Sequence, residues 1–377
     1  MNSLYYLVSF FLVINVIVFV HEYGHYLAAR KCGVKVSKFS IGIGPEICGI
    51  NDDNGTRWCF SLLPIGGYVM MLGDGDIASA TDDEESLEKL SEEEKTHSFL
   101  AKSNWQKMGI AFCGPLFNYI YAFVVVIVIC IFYGVPTYRP IVGEVLKASP
   151  AEKCGILPGD KVLSVNGQKI EKYRDIVMKI ADNNSEKINF LVERNGKQLL
   201  ISVTPETKET KKLLGGVKKM KIVGIRSDTP IFEKKSFLSA VLYGFQVCIQ
   251  STGEMIYVLG KLFAGKKSLD DFGGVVHMAS IAGDLSKDGH FILLIMFTVT
   301  LSLNLGFINL LPLPVLDGGK IFICLIEQVT AKTLNKIFQE YIMTGCAVLL
   351  IFLMLATTIN DILRIEVINK FVSGLIG

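Results

Sequence analysis

The sequence predicts a multi-span α-helical membrane protein with about four transmembrane helices. Half of the 377 residues are hydrophobic. The mean hydropathy is +0.43, high for a water-soluble chain. The apolar residues gather into four long runs without a charged side chain: 1–20, 108–138, 291–316 and 341–360. Each holds about 20 residues or more, the length needed to cross ~30 Å of hydrocarbon. The net charge of +2 implies no nucleic-acid partner.

The first run continues in helical pattern to Ala29. A secretory signal peptide would need a basic segment before it and a small-residue cleavage site after it. No Lys or Arg precedes the run, and His21, Glu22 and His25 stand where cleavage would fall, so a retained span is expected. Arg30, Lys31, Lys35 and Lys38 crowd its exit. By the positive-inside rule the N-terminus lies outside and the 30–107 loop in the cytoplasm. The acidic stretch Thr81 to His97 in that loop reads as a solvated, partly helical segment. The second span returns outside, which puts the 139–290 region on the extracytoplasmic face. A further apolar stretch, Phe237 to Leu262, carries Gln246, Gln250 and Glu254 and is expected to be an amphipathic helix on the membrane surface. The third and fourth spans then cross inward and outward. The nine cysteines form no CxxC pair and read as small apolar residues rather than disulfide or zinc ligands.

The chemistry concentrates at the end of the first span. Residues 21–25 read His-Glu-Tyr-Gly-His. On a helix, positions i and i+4 share one face, so His21 and His25 can reach one zinc ion. Glu22 beside them can act as general base toward water. Ionisable groups at membrane depth cost ~2.5 kcal/mol or more each, so three in one turn need a reason. Leu4 to His21 is about 26 Å along a helix, which places them in the cytoplasmic third of the bilayer. An interfacial helix end is the competing reading, and Tyr23, Tyr26 and Arg30 would suit it.

A catalytic zinc needs a third protein ligand and an open position. Asp317 is the first charged residue after the third run, in Asn309-Leu-Leu-Pro-Leu-Pro-Val-Leu-Asp-Gly-Gly319. Pro312 and Pro314 break a regular helix, and the break lets Asp317 turn inward. Irregular backbone at that depth is tolerated only inside protein or beside water. An ordinary helix exit capped by Asp and Gly fits the same residues. Both candidate ligand sets lie toward the C-terminal ends of their spans. They meet only if both spans run in the same direction, which requires an odd number of crossings between them. The 108–138 span supplies one, and a surface position for 237–262 preserves the count.

These residues resemble the bacterial site-2-type intramembrane metalloproteases of the RseP group over nearly the whole chain. The resemblance rests on HEYGH at 21–25, GIGP at 42–45, PIGGYV at 64–69, GPLFN at 114–118 and NLLPLPVLDG at 309–318, in that order. It implies a zinc cofactor held by His21, His25 and Asp317, with Glu22 catalytic. It also implies that Asn309 and Asn118 help hold substrate or the active-site loops. Residues 57–71 resemble the family's membrane-associated β-hairpin, where Gly66, Gly67 and Tyr68 would contact substrate by strand addition. Residues 140–206 resemble an inserted α+β PDZ domain, carried by PAEKCGILPGDKVLSVNG at 150–167, with Cys154 where the family has alanine.

The implied layout is a membrane part over 1–139, the PDZ domain over 140–206, a linker and amphipathic helix over 207–290, and a second membrane part over 291–377. Well-known members carry two tandem PDZ domains, whereas one fits here. The Asp271 to Val275 stretch resembles a family turn. The implied setting is the bacterial inner membrane, with the site toward the cytoplasm and the PDZ domain periplasmic. Implied substrates are membrane-anchored proteins such as anti-sigma regulators or remnant signal peptides, with possible contacts through the PDZ domain. A membrane zinc transporter or sensor, and a non-catalytic PDZ-bearing scaffold, use the same features. The first needs further ligands along the membrane path. The second leaves Glu22 without a role.

Overall fold

The computed structural model describes residues 2–73, 91–181, 183, 185–211, 217–228, 231–264, 274–287, 291–332 and 335–363. Residues 81–90 of the acidic loop and 271–273 of the family-like turn lie outside them. The chain divides into two units. One comprises Met1–Val126, Leu242–Tyr257 and Ser268–Gly377, the other Ile127–Val241 and Val258–Lys267.

Among its described residues, the regular structure of the first unit is helical apart from one β-hairpin. It begins with α1 (Asn2–Lys31), 30 residues without an acidic group in its first turn. Four helical stretches are long and apolar enough to cross a membrane: Tyr5–Lys31, Asn104–Phe132, Phe291–Asn309 and Gln339–Ile359. This is a multi-pass membrane protein. The N-terminal half of α1 buries Phe10, Val13 and Ile17 at helical spacing. They pack on Met278, Ala279 and Ala282 of a helix the sequence did not reveal, α7 (Val275–Lys287). They also face Leu294, Phe297, Leu301 and Leu305 of α8 (Phe291–Asn309). The Tyr6 hydroxyl donates to Asp284.

The hairpin is longer than the sequence suggested. Strand β1 (Val36–Asn51) pairs antiparallel with β2 (Arg57–Met71). Each strand bends sharply, so the pair forms four lanes. Lane 46–51 pairs with 57–61, lane 57–60 with 38–41, and lane 36–41 with 67–71. The bends fall where the two glycine-bearing motifs fall. Gly42 and Gly44 take φ of +92° and +98°, and Gly66 takes +86°, a region that glycine enters without steric cost. Lane 67–71 is therefore an edge, and among the described residues no other strand pairs with it. An aromatic cluster fixes the hairpin to α1. Phe39 stacks on Trp58 at 4.3 Å, and Tyr26 meets Trp58 edge-on at 5.0 Å. Asn15 Nδ2, in mid-span, donates to the Pro64 carbonyl at 3.0 Å. Ile43, Ile47, Ile50, Phe60, Leu62 and Leu63 are exposed on the hairpin, which suits a lipid-facing surface.

A short α2 (Glu92–Thr96), closed by a capping box at Ser91, precedes α3 (Asn104–Phe132). Helices α3 and α8 approach closely through small and hydroxyl residues, as membrane helices do. Ser302 Oγ donates to the Asn118 carbonyl at 3.0 Å, and the Tyr121 hydroxyl meets Thr298 Oγ1 at 2.7 Å. A Cβ on Gly306 would sit 3.1 Å from the Pro115 carbonyl. Within this unit the middle of α6 (Phe237–Phe263) also meets α3: Tyr119 Oη lies 2.9 Å from Thr252 Oγ1, and the rings of Phe123 and Phe245 are 4.6 Å apart. After α8 the chain turns through 310–316, and α9 (Asp317–Thr330) and α10 (Lys336–Leu363) complete the unit. The buried Asp361 of α10 accepts from the His277 backbone N–H at 3.0 Å.

The second unit is α+β and, beside the elements described next, holds β3 (Val135–Thr137), α4 (Pro150–Lys153), β9 (Glu206–Lys211), β10 (Val217–Ile222) and β12 (Ile231–Glu233). Strands β5 (Lys161–Val165), β6 (Gln168–Lys169), β7 (Ile188–Arg194) and β8 (Lys197–Val203) form a sheet in the order β6-β5-β7-β8. Its buried side carries Val162, Val165, Ile188, Phe190 and Val192, packed on Ile176 and Ile180 of α5 (Tyr173–Ala181). The core continues past the 206 boundary expected from sequence: it takes in Val223, and β11 (Ile225–Ser227) pairs with β4 (Val142–Val145). The Tyr173 hydroxyl donates to the Ile225 carbonyl at 2.8 Å, and burial pushes its pKa up to about 12. The fully buried Asp160 accepts two hydrogen bonds from Arg194, both 2.7 Å.

Candidate metal centre

One turn of α1 brings the rings of His21 and His25 to 4.8 Å between centroids, at 84° to each other. Both are buried. Their Nε2 atoms lie 3.2 Å apart. Asp317, first residue of α9, puts Oδ2 at 3.1 Å from His21 Nε2 and 3.4 Å from His25 Nε2. Two ring nitrogens and a carboxylate oxygen thus form a nearly equilateral triangle. Ligands of a tetrahedral zinc, at bonds of ~2.0–2.1 Å, stand about 3.3 Å apart. The donor set and its spacing therefore fit zinc. Among the described residues this is the group of His, Cys, Asp and Glu side chains able to hold a metal ion.

The approach of α1 to α3 depends on missing side chains. A Cβ on Gly24 would strike the Cys113 carbonyl, and a Cβ on Gly114 would run into the His25 imidazole. With both absent, α3 reaches the outer side of each ring. The His25 Nδ1–H donates to the Ile110 carbonyl at 2.9 Å. His21 Nδ1 lies 3.2 Å from Asn118 Nδ2. Asp317 is brought in by the irregular turn. Gly318 and Gly319 lie directly on the backbone of Leu310, Leu311 and Leu313, where no side chain would fit.

A cavity of about 270 Å³ opens on this triangle. It is lined by His21, Glu22, His25, Asn309, Asp317 and Lys320. Gly67, Tyr68, Val69, Met70 and Met71, the edge lane of β2, line it as well. Asn309 Nδ2 lies 3.4 Å from His21 Nε2. The strand lane lies against α1 at Gly67, where a Cβ would come within 3.0 Å of Val18 Cγ1 and 3.4 Å of Glu22 Cγ.

Of the residues singled out from sequence, His21, Glu22, His25, Asp317, Asn309, Gly67 and Tyr68 meet around this cavity. Two do not. Gly66 sits back at the β2 bend, beside Ile43. Asn118 is fully buried behind His21, so its amide faces an imidazole rather than the cavity. Sequence reasoning missed the Ile110 carbonyl, which carries no side-chain signal, and Met343 of α10, which also lines the cavity. It also missed Lys320, whose position one helical turn after Asp317 was a usable cue.

Residues 9–353 match the model of peptidase family M50. The putative zinc metalloprotease mll0638 of Mesorhizobium japonicum is 36% identical over 338 residues, covering 89% of this chain and 92% of that protein. Metalloprotease MmpA of Caulobacter vibrioides is 33% identical over 392 residues, covering 98% of each. A match spanning nearly every described element, the metal triangle included, leads to one conclusion: this chain belongs to peptidase family M50.

Proposed function

We propose that this intramembrane zinc metalloprotease hydrolyses peptide bonds within or near the transmembrane segments of membrane-anchored proteins. In this reading His21, His25 and Asp317 hold the zinc and Glu22 is the general base. The observation that carries it is the pairing of two walls in one cavity: the donor triangle with Glu22, and the unpaired strand edge 67–71. A zinc ion held by these three residues would make a water molecule acidic enough to serve as a nucleophile near neutral pH. Glu22 takes the proton of the attacking water and delivers it to the departing amine nitrogen. Asn309 offers its amide to the substrate main chain. A substrate helix hides its backbone in its own hydrogen bonds. Unwound, it can add to the 67–71 edge and present a scissile carbonyl.

The substrate classes implied by resemblance are anti-sigma-factor-like regulators and remnant signal peptides. The charge pattern around the spans supports an inner-membrane topology with the site toward the cytoplasm and the 139–290 region periplasmic. In the second unit, the sheet and α5 support a PDZ-like domain that binds peptide or filters substrates by size. Glu22→Gln tests the reading directly. The variant should retain zinc in the purified protein and lose cleavage of a fluorogenic transmembrane peptide. Cleavage at the parental rate with zinc bound would remove Glu22 from the chemistry.

A further inference from the structure

Asn118 holds a polar side chain at full burial inside a membrane helix, where an unused polar atom is costly. Its Oδ1 has no hydrogen-bond partner, while its Nδ2 faces His21 Nδ1 at 3.2 Å. His21 turns Nε2 toward the donor triangle. A neutral imidazole that offers Nε2 as a ligand carries its proton on Nδ1. That N–H needs an acceptor, and the acceptor of Asn118 needs a donor. The two ends of a side-chain amide exchange by a half-turn, which places Oδ1 on the Nδ1–H.

From this orphaned oxygen and its position we infer that Asn118 is a positioning residue for the metal: its amide oxygen accepts the His21 Nδ1–H, fixes the ring's tautomer and aims Nε2 at the ion. The inference rests on the zinc-ligand reading above. The other ligand supplies the precedent within the same site, because His25 Nδ1 donates to the Ile110 carbonyl at 2.9 Å. Helix α3 thus backs both imidazoles, once with a main-chain carbonyl and once with a side chain. Residues 110 and 118 stand about two turns apart on α3 and meet ligands one turn apart on α1. Of the two backing contacts, only the Asn118 side chain is open to substitution.

The test is zinc affinity, measured by chelator competition on the purified full chain in detergent. Asn118→Leu keeps the volume and removes the acceptor. It should weaken zinc binding by about 10–100-fold, the range found when such outer partners are lost. Asn118→Asp restores an acceptor and should bind zinc within a few-fold of the parent. Ser302→Ala removes the neighbouring hydrogen bond to the Asn118 carbonyl without touching the amide, and should leave zinc affinity unchanged. A purely structural Asn118 makes the opposite ordering, because a buried carboxylate packs worse than leucine. Parental affinity in Asn118→Leu, or weaker binding in Asn118→Asp than in Asn118→Leu, overturns the inference. His21→Ala separates it from the site itself. If that variant loses zinc while Asn118→Leu keeps it, only the role of Asn118 fails. If His21→Ala keeps zinc, the ligand reading fails.

Discussion

The two walls of the cavity are built on opposite principles. The metal wall rests on closely packed helices, with Asp317 delivered by the turn before α9. His25 is engaged at both ring nitrogens, His21 lies between the triangle and Asn118, and glycines at 24 and 114 let the helices touch. The other wall is bent strand with one edge unpaired, its shape set by Gly42, Gly44 and Gly66. The first is organised to hold three atoms still. The second keeps main-chain hydrogen-bonding capacity unspent. The difference teaches that metal affinity and substrate handling should be separable by mutation, although the strand lane lies against α1 at Gly67.

The largest effect that can break this separation is loss of a ligand. Asp317→Ala removes one corner of the triangle and should abolish both stoichiometric zinc and cleavage, read by metal analysis and peptide turnover. Retained zinc at one equivalent would place the ion elsewhere. Next come two matched glycine changes. Gly114→Ala pushes a methyl group into the His25 ring and should lower zinc affinity by about 10–100-fold, as displaced ligands do. Gly67→Ala meets the Ser40 carbonyl and Val18 instead. It should leave zinc affinity at the parental value and lower kcat/KM for the fluorogenic peptide by roughly 10-fold, the cost of a misplaced substrate. If both alanine variants lost zinc equally, the walls would be one cooperative unit. The smallest effect belongs to Asn15→Leu, which removes the bond to the Pro64 carbonyl. Hydrogen bonds between membrane helices average about 0.6 kcal/mol. Since Asn15 Oδ1 is itself buried without a partner, leucine there should cost less than about 1 kcal/mol in thermal unfolding.

Much of the metal wall was legible because its chemistry is written in side chains at helical spacing. His21 and His25 announce a shared face. The prolines at 312 and 314 announce a break before Asp317, and α8 indeed stops at Asn309 with α9 starting at Asp317. The other wall was legible only in part. Residues 57–71 suggested a hairpin, but the GIGP motif at 42–45 turned out to bend the partner strand, whose pairing is a long-range fact that local pattern does not carry. Helix α7 went unread because 13 residues with Asp284 and Lys287 are too short and too mixed to announce burial. It becomes comprehensible only against Phe10, Val13 and Ile17 of α1. The extension of the second unit past 206 was hidden for the same reason, since β11 contributes three residues whose partner lies some eighty positions earlier.

The most direct measurement is the zinc K-edge absorption fine structure of the purified protein. Two imidazoles and an oxygen-only remainder at ~2.0–2.1 Å are predicted in the parent, with the zinc signal lost in His25→Ala. A thiolate shell near ~2.3 Å, or an unchanged spectrum in that variant, would contradict the account.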